Sequence, residues 1–157
     1  MTKPRMVITG GSGLLALNWA CAMRERWDVI LGTHLHDVAL QGVRSCRIDL
    51  GNAEHLKSQL DGLSPDLVVH TAGLTDVDRC ESAPDLAILV NATLAENVAR
   101  VAAAAGYGLV HISTDHLFAG DGGPFAESDV PRPLNEYARS KLKGEELVRE
   151  AHPEALV

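Results

Sequence analysis

Short apolar runs and longer stretches of helical periodicity alternate along this chain. Residues 5–9, 28–31, 67–70 and 109–113 are brief, rich in Val, Ile and Leu, and closed by turn-forming residues, the pattern of strands buried on both faces. Residues 45–48 read as a further strand, and 14–26, 53–60 and 84–105 as helices, with one more helix opening at Asn135. The order β, α, β, β, α, β, α, β, α predicts a doubly wound α/β fold: a parallel sheet covered on both faces, with right-handed crossovers.

The punctuation supports these boundaries. Ser82-Ala83-Pro84-Asp85 combines an N-cap serine, a first-turn proline and an acid in capping-box position, and Gly106 is placed to end that helix. Residues 120–133, rich in Gly, Pro and acids, read as one surface loop. Residues 155–157 begin another apolar β run, so the far edge of the sheet, or a following domain, is expected beyond them. Residues 1–157 thus read as one dinucleotide-binding type of domain without repeat or linker.

Composition narrows the partners. Fourteen Lys and Arg against 21 Asp and Glu give a formal charge of −7, and no basic cluster interrupts the acidic balance, which argues against nucleic acid. A phosphorylated small ligand stays compatible, because backbone amides at a helix end hold anions whatever the net charge. No stretch approaches the roughly twenty apolar residues of a membrane span, and the amino terminus lacks a cleavable signal pattern. A cytoplasmic protein with no membrane partner is expected. Cys21, Cys46 and Cys80 have no metal-type spacing and read as buried free thiols.

The chemistry begins at Thr9-Gly10-Gly11-Ser12-Gly13-Leu14-Leu15-Ala16, which follows the first strand and opens the first helix. Gly10 permits a tight turn, Gly13 lets backbone approach a pyrophosphate, and Ala16 is small enough for the helix to pack on the strand. The segment after the second strand, Gly32-Thr33-His34-Leu35-His36, holds neither the acid expected for NAD nor an arginine. Without a carboxylate to repel a 2′-phosphate, and with histidines nearby, NADPH is favoured over NADH. His34 and His36 lack a third ligand, so no metal is expected. Asp49-Leu50 is placed either to meet an adenine or to cap the next helix. Ala72-Gly73-Leu74, at the carboxyl end of a strand, either lets a dinucleotide lie against backbone or simply ends the strand.

Tyr137 and Lys141, at i and i+4, share one helical face. A phenol with pKa near 10 needs about 4 kcal/mol to become an effective acid at neutral pH, which a unit charge about 4 Å away supplies at an effective dielectric near 20. Lys141 is suited to be that charge and to hold a nicotinamide ribose. Thr114, at the end of the last strand, is the preferred ligand for a substrate carbonyl over Ser113, which faces the other way. Asp115 is then a ligand for a substrate hydroxyl.

These motifs, with 70–81 (His70-Thr71-Ala72-Gly73-Leu74-Thr75-Asp76-Val77-Asp78-Arg79-Cys80-Glu81), 90–93, 113–120 and 133–142, resemble the extended short-chain dehydrogenase/reductase family, in its dTDP-4-dehydrorhamnose reductase branch. The resemblance implies Tyr137 as proton donor, Lys141 as its partner and ribose ligand, Thr114 on the carbonyl and Asp115 on the sugar. It also implies Gly13, Leu14 and Leu15 at the pyrophosphate, Asp49 and Leu50 at the adenine, and Ala72, Gly73 and Leu74 at the middle of the cofactor, beside Gly10 of the turn and Thr33 and His34 of the segment after the second strand, which the residues themselves already point to. Asn91 matches a position that supports the active site. The implied reaction is hydride transfer from NADPH, or NADH, to the C4 ketone of a nucleotide-linked 6-deoxyhexose. A nucleotide-sugar epimerase or dehydratase uses the same Tyr and Lys. A non-catalytic NADP-binding regulatory subunit, like that of methionine adenosyltransferase, keeps the same fold. His116 departs from the branch's tyrosine, and the branch continues for about as long again into a substrate-binding part that this chain lacks. Related enzymes pair through the helices 84–105 and 135–151, which makes a homodimer an expected partner.

Overall fold

The computed structural model describes residues 2–157. Five parallel strands, β1 (Arg5–Thr9), β2 (Asp28–Thr33), β3 (Arg44–Arg47), β4 (Leu67–His70) and β5 (Gly108–His111), lie in the order β3-β2-β1-β4-β5. The helices are α1 (Leu14–Met23), α2 (Ala53–Leu63), α3 (Val77–Ser82), α4 (Pro84–Ile88), α5 (Leu94–Ala105) and α6 (Glu136–Ala151). Strand order reverses between β1 and β4. In an open α/β sheet that reversal leaves a crevice at the carboxyl edge, where ligands bind.

Two-residue alternation along the strands builds the two layers. Val7, Ile30, Val68 and Leu109 point into a core shared with Leu56, Leu60, Val98 and Val148, under α2, α5 and α6. Met6, Ile8, Val29, Leu31 and Val69 point to the opposite face, where Ala16 and Ala20 of α1 meet them without exposure. The Rossmann-like fold expected from the alternating pattern is the one observed.

Several boundaries differ from expectation for local reasons. Helix α1 stops at Met23, and β5 stops at His111. Ser82 does not cap α4: it ends α3, where its hydroxyl donates to the Arg79 carbonyl, and Ala83 takes the N-cap place without a side-chain bond. The unforeseen α3 is opened by Asp76, whose carboxylate accepts from the Arg79 N–H. Leu156 forms a single parallel bridge to Val110 rather than a strand. Only Cys80 is buried, with its thiol pKa pushed up by that burial, while Cys46 is half-buried and Cys21 exposed. The 22-residue run Pro84–Ala105 is long and apolar enough to cross a membrane, contrary to the composition-based expectation. It serves here as a core element, with Ala95, Val98, Ala99 and Ala102 fully buried. Ala102 therefore packs within the domain, as an ordinary core residue.

That run is not one α-helix. Residues Leu89–Thr93 form a π-turn joining α4 to α5, a device that recurs at functional sites. It turns Asn91 inward, where the side-chain oxygen accepts from the Leu74 N–H at 2.7 Å and the amide nitrogen donates to the Leu74 carbonyl at 3.0 Å and to Ser140 Oγ at 2.9 Å. Ser140 in turn donates to the Tyr137 carbonyl at 2.7 Å. Helix α6 comes close enough for this only because Gly144 has no side chain: a Cβ there would lie 2.3 Å from the Asn91 carbonyl oxygen.

Beneath the carboxyl edge, His70 and His111 are neighbours in register on β4 and β5 and stack with ring centroids 5.4 Å apart. Thr9 Oγ1 meets His70 Nδ1 at 2.7 Å, whereas His70 Nε2 and both His111 nitrogens are buried without a partner among the described residues. Burial pushes both pKa values down, to about 3 for His111 with Lys141 and Arg149 adding, and well below the ordinary value for His70 with His111 and Lys141 adding.

Two outcomes are expected. In the unfolded chain both imidazoles take up protons near pH 6.5, but the folded state refuses them until far lower pH. Stability is therefore full above pH 6.5 and lost as pH falls toward 3, by roughly 1.4 kcal/mol per pH unit for each imidazole. Urea midpoints measured between pH 7 and 4 should show this slope, and His111→Leu should remove part of it. Gly144→Ala should destabilise the fold by about 2 kcal/mol or more, and Asn91→Ala by a similar amount through three broken buried hydrogen bonds, in denaturant titrations at pH 7.

Candidate active site

Three clefts lie at the carboxyl edge, two of them along the expected dinucleotide path. The central one, of about 310 Å³, lies over the β1–β4 reversal and is bounded by the α1 end (Gly13, Leu14, Leu15), the β4 exit (Ala72, Gly73) and Ser113, Tyr137 and Lys141. Gly10 makes this possible. Its φ is +70°, and a Cβ would stand 2.7 Å from the Ala72 nitrogen, so any side chain would push the turn off β4.

The start of α1 is built differently from other helix starts in the molecule. Asn52 caps α2, Asp76 caps α3 and Asn135 caps α6, and each of those helices has an acid in its first turn. Helix α1 begins at Gly13 with no side-chain cap and no acid in its first turn. Its first amides and the positive end of its dipole are left for an anion. Leu14 and Leu15, 80% and 46% exposed, stand at the mouth as apolar surface that a bound ligand would cover. The glycine cradle, the uncapped amides and the fully buried Ala16 all fit a dinucleotide pyrophosphate.

Helix α6 brings Tyr137 and Lys141 to the wall of the central cleft. Asn135 accepts from the Ala138 N–H and starts the helix, and Glu81 accepts from the Glu136 N–H. One turn along, half-buried Tyr137 and buried Lys141 face the same cleft. Lys141 Nζ donates to the Ile112 carbonyl at 2.5 Å. Burial pushes its pKa down to about 8, with Glu145 opposing.

Ser113 and Thr114 divide as alternating strand-end residues should, but with an unexpected result. The Ser113 hydroxyl lies in the cleft wall, buried and without a partner among the described residues. Thr114 stands one residue further, at the N-cap of a single 3-10 turn (Asp115–Leu117), where its oxygen accepts from the His116 N–H at 3.3 Å. Asp115 and His116 line a neighbouring cleft of about 500 Å³ with the stacked Phe118 and Phe125. The His116 ring meets the Tyr137 ring edge-on at 5.7 Å. Leu74, expected at the middle of a cofactor, has both backbone groups bound by Asn91 and does not itself line the central cleft.

At the other end of the path, a cleft of about 370 Å³ is lined by Thr33, His34, Arg47 and Asp49, among others. Asp49 is not a helix cap: its Oδ1 accepts from the Gly51 N–H, and its carboxylate stays exposed. Leu50 packs against the core. The Thr33 hydroxyl donates to the Cys46 carbonyl at 3.3 Å. Arg47, at the end of β3, lies outside the segment directly after β2 in which the motif spacing places an arginine.

Residues 4–157 match the family model described as RmlD substrate binding domain. A probable low-salt glycan biosynthesis reductase of Haloferax volcanii is 36% identical over 96% of this chain and 50% of its own length. Methionine adenosyltransferase 2 subunit beta of Xenopus laevis is 33% identical over 98% of this chain and 45% of its own. The solved dTDP-4-dehydrorhamnose reductase of Bacillus anthracis, in complex with NADP, superposes with a TM-score of 0.83 at 31% identity, covering 99% of this chain and 52% of that one. The chain spans about half the length of the curated relatives it matches. It belongs to the RmlD family of extended short-chain dehydrogenases/reductases, as its separated motifs imply.

Proposed function

We propose that this chain is the cofactor-binding domain of an NAD(P)H-dependent reductase acting on the C4 ketone of a nucleotide-linked 4-dehydro-6-deoxy sugar, with the substrate-binding part encoded beyond it. The observation that carries this reading is the central cleft, which brings an uncapped helix start to the same cavity as Tyr137 and Lys141. When bound, the reduced nicotinamide supplies a hydride to the ketone carbon. Gly10, Gly13, Leu14 and Leu15 hold the pyrophosphate, and Ala72 and Gly73 let the cofactor lie close to backbone.

Tyr137 gives its phenolic proton to the ketone oxygen as negative charge develops there. Lys141 lies one turn along and holds the ribose hydroxyls with its ammonium. Thr114 polarises the carbonyl: its oxygen already accepts a backbone N–H, which leaves its own hydrogen free to donate. Ser113 is the competing donor, and Asp115 holds a sugar hydroxyl. Comparing Ser113→Ala with Thr114→Val separates the two, since only the true carbonyl ligand should lower turnover by about tenfold or more.

Similarity to a methionine adenosyltransferase subunit over nearly the whole chain favours a second reading, a non-catalytic NADP-binding regulator. Calorimetric titration with NADPH, paired with turnover of a dTDP-4-dehydro-6-deoxy sugar, distinguishes the two. The isolated chain should bind NADPH and turn over slowly. Tyr137→Phe should lower any reduction by about a hundredfold or more and leave NADPH affinity within about twofold. Equal loss of both would make the tyrosine structural and defeat the reductase reading. Because Lys141 loses its proton as pH rises through about 8, NADPH affinity should decline on that limb, and Lys141→Met should abolish the dependence.

A further inference from the structure

We infer that Arg47 is the residue by which this protein selects a cofactor carrying a 2′-phosphate on its adenosine ribose. The inference rests on the dinucleotide reading above and adds the determinant that the segment after β2 lacks. Register puts Arg47 beside Thr33, because β3 lies parallel to β2 with those two residues as partners. Both reach the carboxyl edge, at the cleft where an adenosine would follow from the α1 turn.

The backbone around Arg47 is pinned. Gln59 of α2 accepts from the Asp49 N–H at 3.0 Å and donates to the Arg47 carbonyl at 2.9 Å, while Ile48 N–H donates to Thr33 at 2.9 Å. Buried Ile48 anchors the stretch between them, so the side chains of Arg47 and Asp49 project to the edge from a fixed frame.

The guanidinium itself is nearly uncommitted. Its contact among the described residues is Nε to Asp37 Oδ1 at 3.4 Å, with the two side chains 69% and 78% exposed. A pair so long and so wet contributes little and yields readily to a stronger acceptor. A phosphate dianion is that acceptor, since the planar fork offers two parallel donors to its oxygens.

Charge balance explains why this single residue decides. Asp37 and Asp49 both stand at this end of the sheet, and His34 and Thr33 complete the wall. Without Arg47 the cleft presents carboxylates to a doubly charged phosphate. The preference should then invert rather than merely weaken. Asp37 acts in the opposite sense, as a rival for the guanidinium and a repulsive neighbour of the phosphate.

Titrations with NADPH, NADH, 2′,5′-ADP and 5′-AMP at low ionic strength test this. Arg47→Ala should weaken NADPH and 2′,5′-ADP by about tenfold or more and leave NADH and 5′-AMP within about twofold. Arg47→Lys should fall between, and Asp37→Asn should tighten 2′,5′-ADP. Both positions are exposed, so folding should survive, as circular dichroism would verify. If Arg47→Ala changes all four ligands equally, or none, the inference is overturned and the dinucleotide reading stands. If the unaltered chain binds neither NADPH nor NADH, both fall.

Discussion

The side chain of Asn91 holds the two walls of the central cleft at their separation. A primary amide has one acceptor and two donor hydrogens, and here they satisfy both backbone groups of Leu74 and the hydroxyl of Ser140. The first two bonds fix the exit of β4, where a dinucleotide would rest. The third fixes α6 at Ser140, directly before Lys141 and one turn after Tyr137. In a buried setting each such bond resists disruption, because breaking it leaves a desolvated polar group without a partner. The π-turn turns the amide inward, and Gly144 lets α6 approach its backbone.

Around that joint the protein treats charge in two contrasting ways. Its acidic surface gives no general attraction for a phosphorylated ligand, so attraction has to be local. On the proposed reading it comes from the start of α1, which has neither a side-chain cap nor a first-turn acid, whereas α2, α3 and α6 are capped by Asn or Asp and all five other helices carry a first-turn acid. The proposed anion site is thus defined as much by what the sequence withholds at Gly13 as by what it supplies.

Around Lys141 the strategy is burial. Desolvation disfavours the protonated forms of His70, His111 and Lys141, and the nearby ammonium of Lys141 adds to it at both imidazoles. The imidazoles stay neutral, so the ammonium of Lys141 is the cation that the interior accepts, steadied by the Ile112 carbonyl and by Glu145. The cost appears as sensitivity to acid, which links the stability of the sheet centre to the electrostatics of the site above it.

Much of this was legible in the chain. Alternating apolar runs give parallel strands because a strand covered on both faces must be apolar on both, and the Gly10 turn, the Asn135 cap and the Gly106 stop act within a few residues of themselves. Even α3 had a readable signal in Asp76, three residues before Arg79. The π-turn had none, since it is stabilised by contacts to Leu74 and to α6, nearly fifty residues away at Ser140. Ser82 lost its expected role because a preceding helix already claimed it. Arg47 escaped notice because linear spacing does not say which strands are neighbours. Only the pairing of β3 with β2 sets it beside Thr33. Local backbone preference and periodicity therefore determined the elements and the anion turn, whereas the distances that make a site depend on side chains meeting across elements, which is decided by packing.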